Sequence, residues 1–314
     1  MLIPGAQLML KPIHPVRKSL EVRSYYGLIH KGGTQWFHWE NLSFPYSFMD
    51  LLLKGLDISD RGLKNALDLQ LVRHTAYLTG LPDSFEDYQI LLLTDLHLDG
   101  NPGLSERIFQ MVDEISYDIA ILGGDYHFRF TGNPNLAINL TKTLAAYLIK
   151  KAPVAAILGN HDEYIFAKNL DACGVEMLVN SHYPVTRKGE SISIVGVDDC
   201  HYYGTQDFNE AEAGIPANAC KILVCHSPEM YKQAAKRGYA LYLAGHTHGG
   251  QICLPGKIPL LKNARVPWKF AAGAWRYRQM AGYTSLGTGS SGVQARFNCP
   301  PEMVLLTLKK NRRE

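Results

Sequence analysis

Residues 89–100 read QILLLTDLHLDG. Four apolar residues (90–93) give way in one step to Thr94, Asp95, Leu96 and His97. A run this short, apolar at every position and closed by polar residues, reads as a strand buried on both faces. The theme recurs downstream. Residues 119–122 lead into GGDYH (123–127), 154–158 into GNHDE (159–163), and 192–197 into GVDD (196–199). Residues 222–225 lead into HSP (226–228), and 241–244 into GHTHGGQ (245–251). Between these runs, 105–115 and 136–150 carry helical spacing, and 283–288 and 303–308 supply further strand candidates. Strands alternating with helices predict an α/β sheet protein. The chain shows no internal repeat and no low-complexity tract.

Composition agrees. The 314 residues are 46% hydrophobic and 19% charged, enough to bury a large core, which excludes disorder and disulfide-stapled miniproteins. Lys and Arg total 32 against 29 Asp and Glu, a formal +3 that does not by itself suggest a nucleic-acid binder. Six cysteines with no C-x-x-C pair read as reduced core thiols. The opening MLIPGAQLML lacks the basic-then-apolar order of a secretory signal, and no run of about 18 apolar residues occurs. The expectation is a cytoplasmic protein, at most peripheral on the inner membrane face.

Residues 1–84 are irregular. Pro4, Pro12, Pro15 and Pro45 punctuate them, and Trp36, Phe37, Trp39, Phe44, Tyr46 and Phe48 cluster. Leu67, Leu69 and Leu71 alternate with polar residues and favour a strand, with a helix as the alternative. We read 1–84 as an N-terminal extension packing on a core of 85–314.

Ligands of open α/β sheets bind outside the carboxyl ends of the strands, and the chemistry here sits there. Asp95 and His97 are two apart, so in an extended segment both side chains point the same way. His246 and His248 repeat the spacing. Asp125 follows two glycines, which let backbone turn closely around an ion. Asn160 and His161 are adjacent and face opposite directions, which suits one ligand and one substrate-facing group; His226 closes a strand alone. Seven ligands are too many for one mononuclear site and suit two ions, with a carboxylate such as Asp125 bridging them. Mixed nitrogen and oxygen donors without thiolate favour Mn, Fe or Zn. Two such ions clamp a phosphoryl group and make hydroxide available at neutral pH, with His161 as a candidate acid for the leaving alkoxide.

The set DLH, GGD, GNHD, a lone strand-end His and GHTH resembles the calcineurin-like metallophosphoesterase superfamily in order and spacing, over roughly residues 85–309. Within it, GVDD, GHTHGGQ followed by CLPG, and the late PEMVLLTL (301–308) are similar to a bacterial branch. That branch contains membrane-associated phosphodiesterases and phosphatases, and UDP-diacylglucosamine pyrophosphatases of lipid A synthesis. The resemblance implies a four-layer αββα sandwich of two mixed sheets flanked by helices. It implies Asp95, His97 and His248 on a first metal, Asp125 bridging, and Asn160, His226 and His246 on a second. His161 would contact the scissile phosphate as acid. One position departs: where many members carry an Asp that orients this His, the chain has Phe128, with His127 beside it, and Asp162 or Glu163 as the available substitutes.

A single strand-end His is more often a core residue than a ligand; seven His, Asp and Asn residues at the family's spacings reverse that. His127 and His201 divide between plain surface and function. Asp198 and Asp199 read as turn caps, and Cys225 and Cys253 as small packing residues. Charge distribution is the substrate clue. Between Glu229 and Glu302 lie ten Lys and Arg and no acid. Lys257, Lys262, Arg265, Lys269, Arg276 and Arg278 also stand among Leu, Trp and Phe residues, as an anion-attracting rim with apolar surface.

The expected function is dinuclear, metal-dependent hydrolysis of a phosphodiester or pyrophosphate bond by metal-bound hydroxide. The cofactors are two divalent ions, Mn favoured and Fe or Zn acceptable. The substrate is small and phosphorylated or lipid-linked, such as UDP-diacylglucosamine, with peripheral contact to anionic membrane. A soluble phosphomonoesterase or nucleotide phosphodiesterase is the competing enzyme. A catalytically silent interaction module is the competing class, disfavoured because every ligand is present. Single-stranded nucleic acid is a weaker fit, given the balanced charge elsewhere.

Overall fold

The computed structural model describes residues 10–25, 44–129, 132–260 and 263–311. Trp36, Phe37, Trp39 and Lys262 lie outside these residues. Three helices come first: α1 (Pro15–Tyr25), α2 (Phe44–Gly55) and α3 (Ser59–Leu67). One sheet has the order β1 (Gln70–Leu78), β14 (Glu302–Lys310), β2 (Gln89–Leu93), β3 (Ile119–Leu122), β4 (Val154–Ala156) and β5 (Glu176–Met177). The other runs β12 (Gly273–Tyr277), β13 (Met280–Thr284), β9 (Leu241–Ala244), β8 (Cys220–Val224), β7 (Glu190–Gly196) and β6 (Ser181–Arg187). A short ribbon joins β10 (Cys253–Leu254) to β11 (Ile258–Pro259).

Alternation inside the apolar runs sets the layers, because successive side chains of a strand face opposite ways. Ile90 and Leu92 join Ile119 and Ile121 in a core shared with Ile192, Ile194, Ile222, Val224, Leu241 and Leu243 of the second sheet. Leu91, Leu93, Ala120 and Leu122 face away, onto Ile108 and Val112 of α4 (Leu104–Asp113), Leu144 and Leu148 of α5 (Asn135–Ile149) and Phe166 of α6 (Tyr164–Asp171). The second sheet's outer face, with Val195, Leu223 and Tyr242, packs on Phe208 of α7 (Phe208–Ala211) and on Tyr231 and Ala234 of α8 (Tyr231–Lys236). Each fully buried Ile or Leu contributes roughly 1.5–3 kcal/mol. The result is the four-layer αββα sandwich. No helix among the described residues is long and apolar enough to cross a membrane.

β2, β3, β4 and β5 run parallel, as do β7, β8, β9 and β13, while β14 is antiparallel to β2. Two details differ from the sequence reading. The strand expected at 283–288 is β13, which ends at Thr284. Residues beyond it leave the sheet to donate backbone N–H groups to the metal-side loops, Ser285 to Ala244, Thr288 to Thr94 and Gly289 to Asp95. The alternation at Leu67, Leu69 and Leu71 straddles a boundary, since α3 ends at Leu67 and β1 starts at Gln70. β1 pairs in parallel with β14 from Gln70↔Glu302 to Leu78↔Lys310, so residues before position 85 contribute a full strand to the sheet.

Candidate metal centre

The loops after β2, β3, β4, β8 and β9 meet at one edge of the sandwich. Backbone and side chain lace them together. Asp95 N–H donates to Gly124 O at 2.9 Å, and His246 N–H to Asp95 Oδ1 at 2.9 Å. His161 N–H donates to Asp125 Oδ1 at 2.9 Å. Holding five polar side chains inward at the tips of adjacent strands strains the chain. Asp95, His97, Asp125, His246 and His248 all have φ between 42° and 71°, in the left-handed region that disfavours side chains. Each such residue costs on the order of 1–3 kcal/mol, which the surrounding packing offsets.

Three overlapping groups result: Asp95, His97 and His248; His97, Asp125 and His161; and Asp125, His226 and His246. Within each, one donor atom per residue lies within 4.8 Å of the others. Asp125 is shared by the last two groups. Asn160 joins the third through Oδ1, 2.9 Å from His246 Nδ1.

The outer nitrogens decide what the inner ones offer. His97 Nδ1 lies 2.7 Å from His127 O, His226 Nδ1 2.8 Å from Gly123 O, and His246 Nε2 2.6 Å from Asn263 O. A carbonyl only accepts, so each of these nitrogens donates. Burial pulls His97 down to about 3 and His246 well below the usual imidazole range, so both rings are neutral. Their inner nitrogens therefore carry lone pairs. His246 Nδ1 faces the Asn160 oxygen, and His97 Nε2 lies 3.3 Å from His248 Nε2 and 3.8 Å from Asp125 Oδ2.

His246 Nδ1 facing Asn160 Oδ1, and His97 Nε2 facing Asp125 Oδ2, set acceptor against acceptor, which fits a cation between them, and carbonyl-anchored imidazoles are the usual way a ligating His is oriented. Charge agrees. Burial opposes protonation of His226, yet Asp125 at 3.2 Å and Asp95 at 3.9 Å outweigh it and hold this imidazole well above its usual range. Burial likewise opposes ionisation of Asp125, but His226 and His161 hold it well below the carboxylate range. Asp95, where burial dominates, is pushed up to about 6. The site draws positive charge.

Of the substitutes considered for the missing orienting Asp, Asp162 is engaged elsewhere. Asp162 Oδ2 accepts from the N–H of Asp125 (2.7 Å) and Gly159 (2.8 Å), and Oδ1 from Tyr126 (2.8 Å). It clamps the GGD and GNHD turns together. Glu163 precedes α6, where burial and the nearby Glu21 raise its carboxyl above the usual range. Phe128 packs its ring against Gly100, where an added Cβ would lie 2.1 Å from it. His127 is buried rather than on the surface, 3.4 Å from Asp99. His201 is buried too: its ring centroid is 4.0 Å from that of His246, and Nδ1 is 3.1 Å from Glu229 Oε2. Glu229 Oε1 accepts from Arg265 N–H, securing the loop whose Asn263 carbonyl holds His246. Asp199 caps a turn through the N–H groups of His201, Tyr202 and Tyr203.

The basic residues scatter more than their sequence proximity implied. Lys257, Arg265 and Lys269 are exposed on the segment that follows GHTHGGQ. Arg276 and Arg278 lie at the opposite end of the second sheet. β12 is antiparallel to β13, so its start, Gly273, sits opposite Thr284 at the metal edge, and its far end carries Arg276, which reaches Tyr77 O. Arg296 is fully buried. It donates to the carbonyls of Leu286, Gly287, Gly289 and Cys299, and Nη2 lies 3.2 Å from His248 Nδ1. It is one of the ten cations tallied between Glu229 and Glu302, and nothing local to residue 296 signals a partner 48 positions away.

Gly159 is required by close approach. A Cβ there would stand 2.1 Å from Asp125 Oδ1 and 2.6 Å from Asp125 N. Gly159→Ala is expected to displace that carboxylate and lower metal content and phosphoester hydrolysis about 10–100-fold, the usual cost of disturbing a ligand's support. Elemental analysis beside circular dichroism checks this. Full metal content in the variant would contradict it.

The chain matches the calcineurin-like phosphoesterase family over residues 88–250, more than half its length. It is 27% identical over 251 residues to phosphodiesterase YaeI of Escherichia coli (strain K12), covering 76% of this chain and 88% of that protein. It is 30% identical over 231 residues to the uncharacterized protein YpbG of Bacillus subtilis (strain 168), covering 70% and 80%. To the transmembrane protein with metallophosphoesterase domain of Danio rerio it is 29% identical over 252 residues, spanning 73% of this chain and 55% of that protein's length. On this evidence the chain belongs to the calcineurin-like phosphoesterase family and is a metal-dependent phosphoric ester hydrolase.

Proposed function

We propose that the chain cleaves phosphodiester or pyrophosphate bonds in substrates that pair a phosphate with an apolar part, UDP-diacylglucosamine being a representative, with manganese as the preferred metal. One observation carries the substrate reading. Beside Gly249, adjacent to His248, lies a cavity of about 340 Å³ lined by Cys253, Ala272, Gly273, Leu286 and Pro300, with Asn298 as a polar group and exposed Lys257 and buried Glu302 as its charged ones. A phosphate-rich head beside the metals and an apolar portion in this cavity would use both characters. The phosphodiesterase among the relatives supports diester over monoester chemistry.

Asp95, His97 and His248 would hold one ion, Asn160, His226 and His246 the other, and Asp125 both. Two such ions supply a nucleophilic water at neutral pH and neutralise phosphoryl charge. The chain's own contribution is position and a proton. Asp125 fixes the His161 backbone through its N–H, and the His161 ring stands 4.9 Å from that of His97, with Nε2 3.9 Å from Asp125 Oδ2. At 9% exposure His161 is the most open of the five clustered imidazoles, so it meets an incoming ester first. We assign it the proton delivered to the leaving oxygen.

His161→Ala should retain metal yet lose about 10²–10⁴-fold on an alkyl phosphodiester, and much less on bis-p-nitrophenyl phosphate, whose leaving group needs no proton. Undiminished alkyl cleavage would remove His161 from that role. For the substrate, the manganese-loaded protein is assayed on bis-p-nitrophenyl phosphate, p-nitrophenyl phosphate and UDP-diacylglucosamine. Diester and pyrophosphate cleavage with little monoester activity is expected. Monoester preference would point to a general phosphatase instead.

A further inference from the structure

We infer that Glu229 and His201 are positioning residues for one of the two ions, holding His246 from outside and tying to it the segment that bears Arg265 and Lys269; this rests on the assignment of Asn160, His226 and His246 to that ion. Glu229 stands three residues after His226, in the short turn Pro228–Met230. Its side chain is 2% exposed, and that of His201 is fully buried. Oε2 lies 3.1 Å from His201 Nδ1, and Oε1 accepts from Arg265 N–H at 2.8 Å. The His201 ring lies against that of His246, centroids 4.0 Å apart. Burying a carboxylate is costly unless it is hydrogen-bonded. Here both oxygens serve the surroundings of one ligand.

The segment 263–271 is pinned to GHTHGGQ and to this turn at three points. Asn263 O accepts from His246 Nε2 at 2.6 Å, Arg265 N–H donates to Glu229, and Ala271 O accepts from Thr247 Oγ1 at 2.6 Å. The Asn263 bond turns the ring so that Nδ1 faces Asn160 Oδ1 at 2.9 Å. Freeing Arg265 N–H loosens a carbonyl two residues away, and with it the direction of His246 Nδ1. A ligating imidazole depends on such a partner for its orientation. Arg265 and Lys269 are exposed on the pinned segment, so the contact that orients the ligand also sets where two cations stand.

His248 draws on a different support, since its Nδ1 lies 3.2 Å from Arg296 Nη2. Loss of the Glu229 contacts should therefore weaken one ion and spare the other. A clamp that served the fold alone would change stability and leave both ions in place.

Electron paramagnetic resonance of the full chain loaded with Mn2+ tests this, with Glu229→Met and Glu229→Gln beside the parent. Methionine fills a similar volume without oxygens; glutamine keeps a carbonyl oxygen for Arg265 N–H. The parent should show an exchange-coupled pair. Glu229→Met should show a mononuclear signal, with the second Mn2+ bound about 10–100-fold more weakly in equilibrium dialysis. Glu229→Gln should keep most of the coupled signal, and metal-free circular dichroism of both variants should match the parent. A coupled parent with an equally coupled methionine variant would overturn the inference alone. So would equal loss in both variants, which would make charge rather than position the cause. A parent with a mononuclear signal at saturating Mn2+ would overturn the two-ion assignment and the inference with it.

Discussion

Asp125→Asn is expected to lower bis-p-nitrophenyl phosphate turnover on the order of 10³-fold, the scale set by losing one preorganised charged group at a reacting centre. It should also abolish the thermal stabilisation that divalent metal confers. Asp125 is the one carboxylate common to two of the candidate ligand groups. It also accepts the His161 N–H, which an amide oxygen can still do, so the loop should survive the change. What the amide removes is negative charge between His97, His161 and His226, the charge that makes the pocket favour cations. A protein holding metal at 100 times its dissociation constant gains about 2.7 kcal/mol from binding. Melting with and without MnCl2 should show that gain in the parent and little in the variant, while the metal-free melting temperatures stay close. If the variant kept both the metal-dependent shift and turnover, Asp125 would not be a shared ligand.

The candidate ligands were legible because their signal is local. Each motif occupies one to four consecutive residues at the end of an apolar run, and period-two alternation in strands such as β2 assigns the layers. What supports the ligands was not legible, because it spans the chain. Asn263, whose carbonyl anchors His246, and the Glu229–His201 pair are remote from GNHD. The left-handed φ of five candidate ligands follows from where neighbouring loops hold them, not from residue type. Charge tallies fared worst, since composition carries no direction: Arg276 sits at the far end of the strands and Arg296 in the interior. β1 was blurred because its partner β14 enters more than 220 residues later.

Arg17 is the largest support that sequence reading passed over, and Arg17→Met is expected to destabilise the protein by about 3–5 kcal/mol, as breaking a buried ion pair does. Although α1 carries exposed valines, this guanidinium is fully buried. Nη1 pairs with Asp198 Oδ1, Nη2 donates to Asp162 O, and Nε lies 2.9 Å from Glu21 Oε1. The plane stands 4.0 Å over Tyr203. Burial opposes the charge, but Asp198, Tyr203 and Glu21 outweigh it and raise the pKa. Glu21 in turn accepts from Tyr164 N–H, so one arginine ties α1 to the start of α6 and to the Asp162 turn behind GNHD. Methionine fills much of the volume but leaves Asp198 buried, with Thr205 Oγ1 and Asp199 N–H as its remaining donors among the described residues. Two routes of failure can be separated. If α1 merely releases, proteolysis near Leu20 should accelerate while the main melting transition holds; if the sandwich loses the pair outright, the transition should fall by roughly 10 °C. Adding Asp198→Asn should recover part of the loss, because the cost lies chiefly in the unpaired charge rather than in a missing attraction. A single variant as stable and protease-resistant as the parent would show that α1 is dispensable to the core it touches.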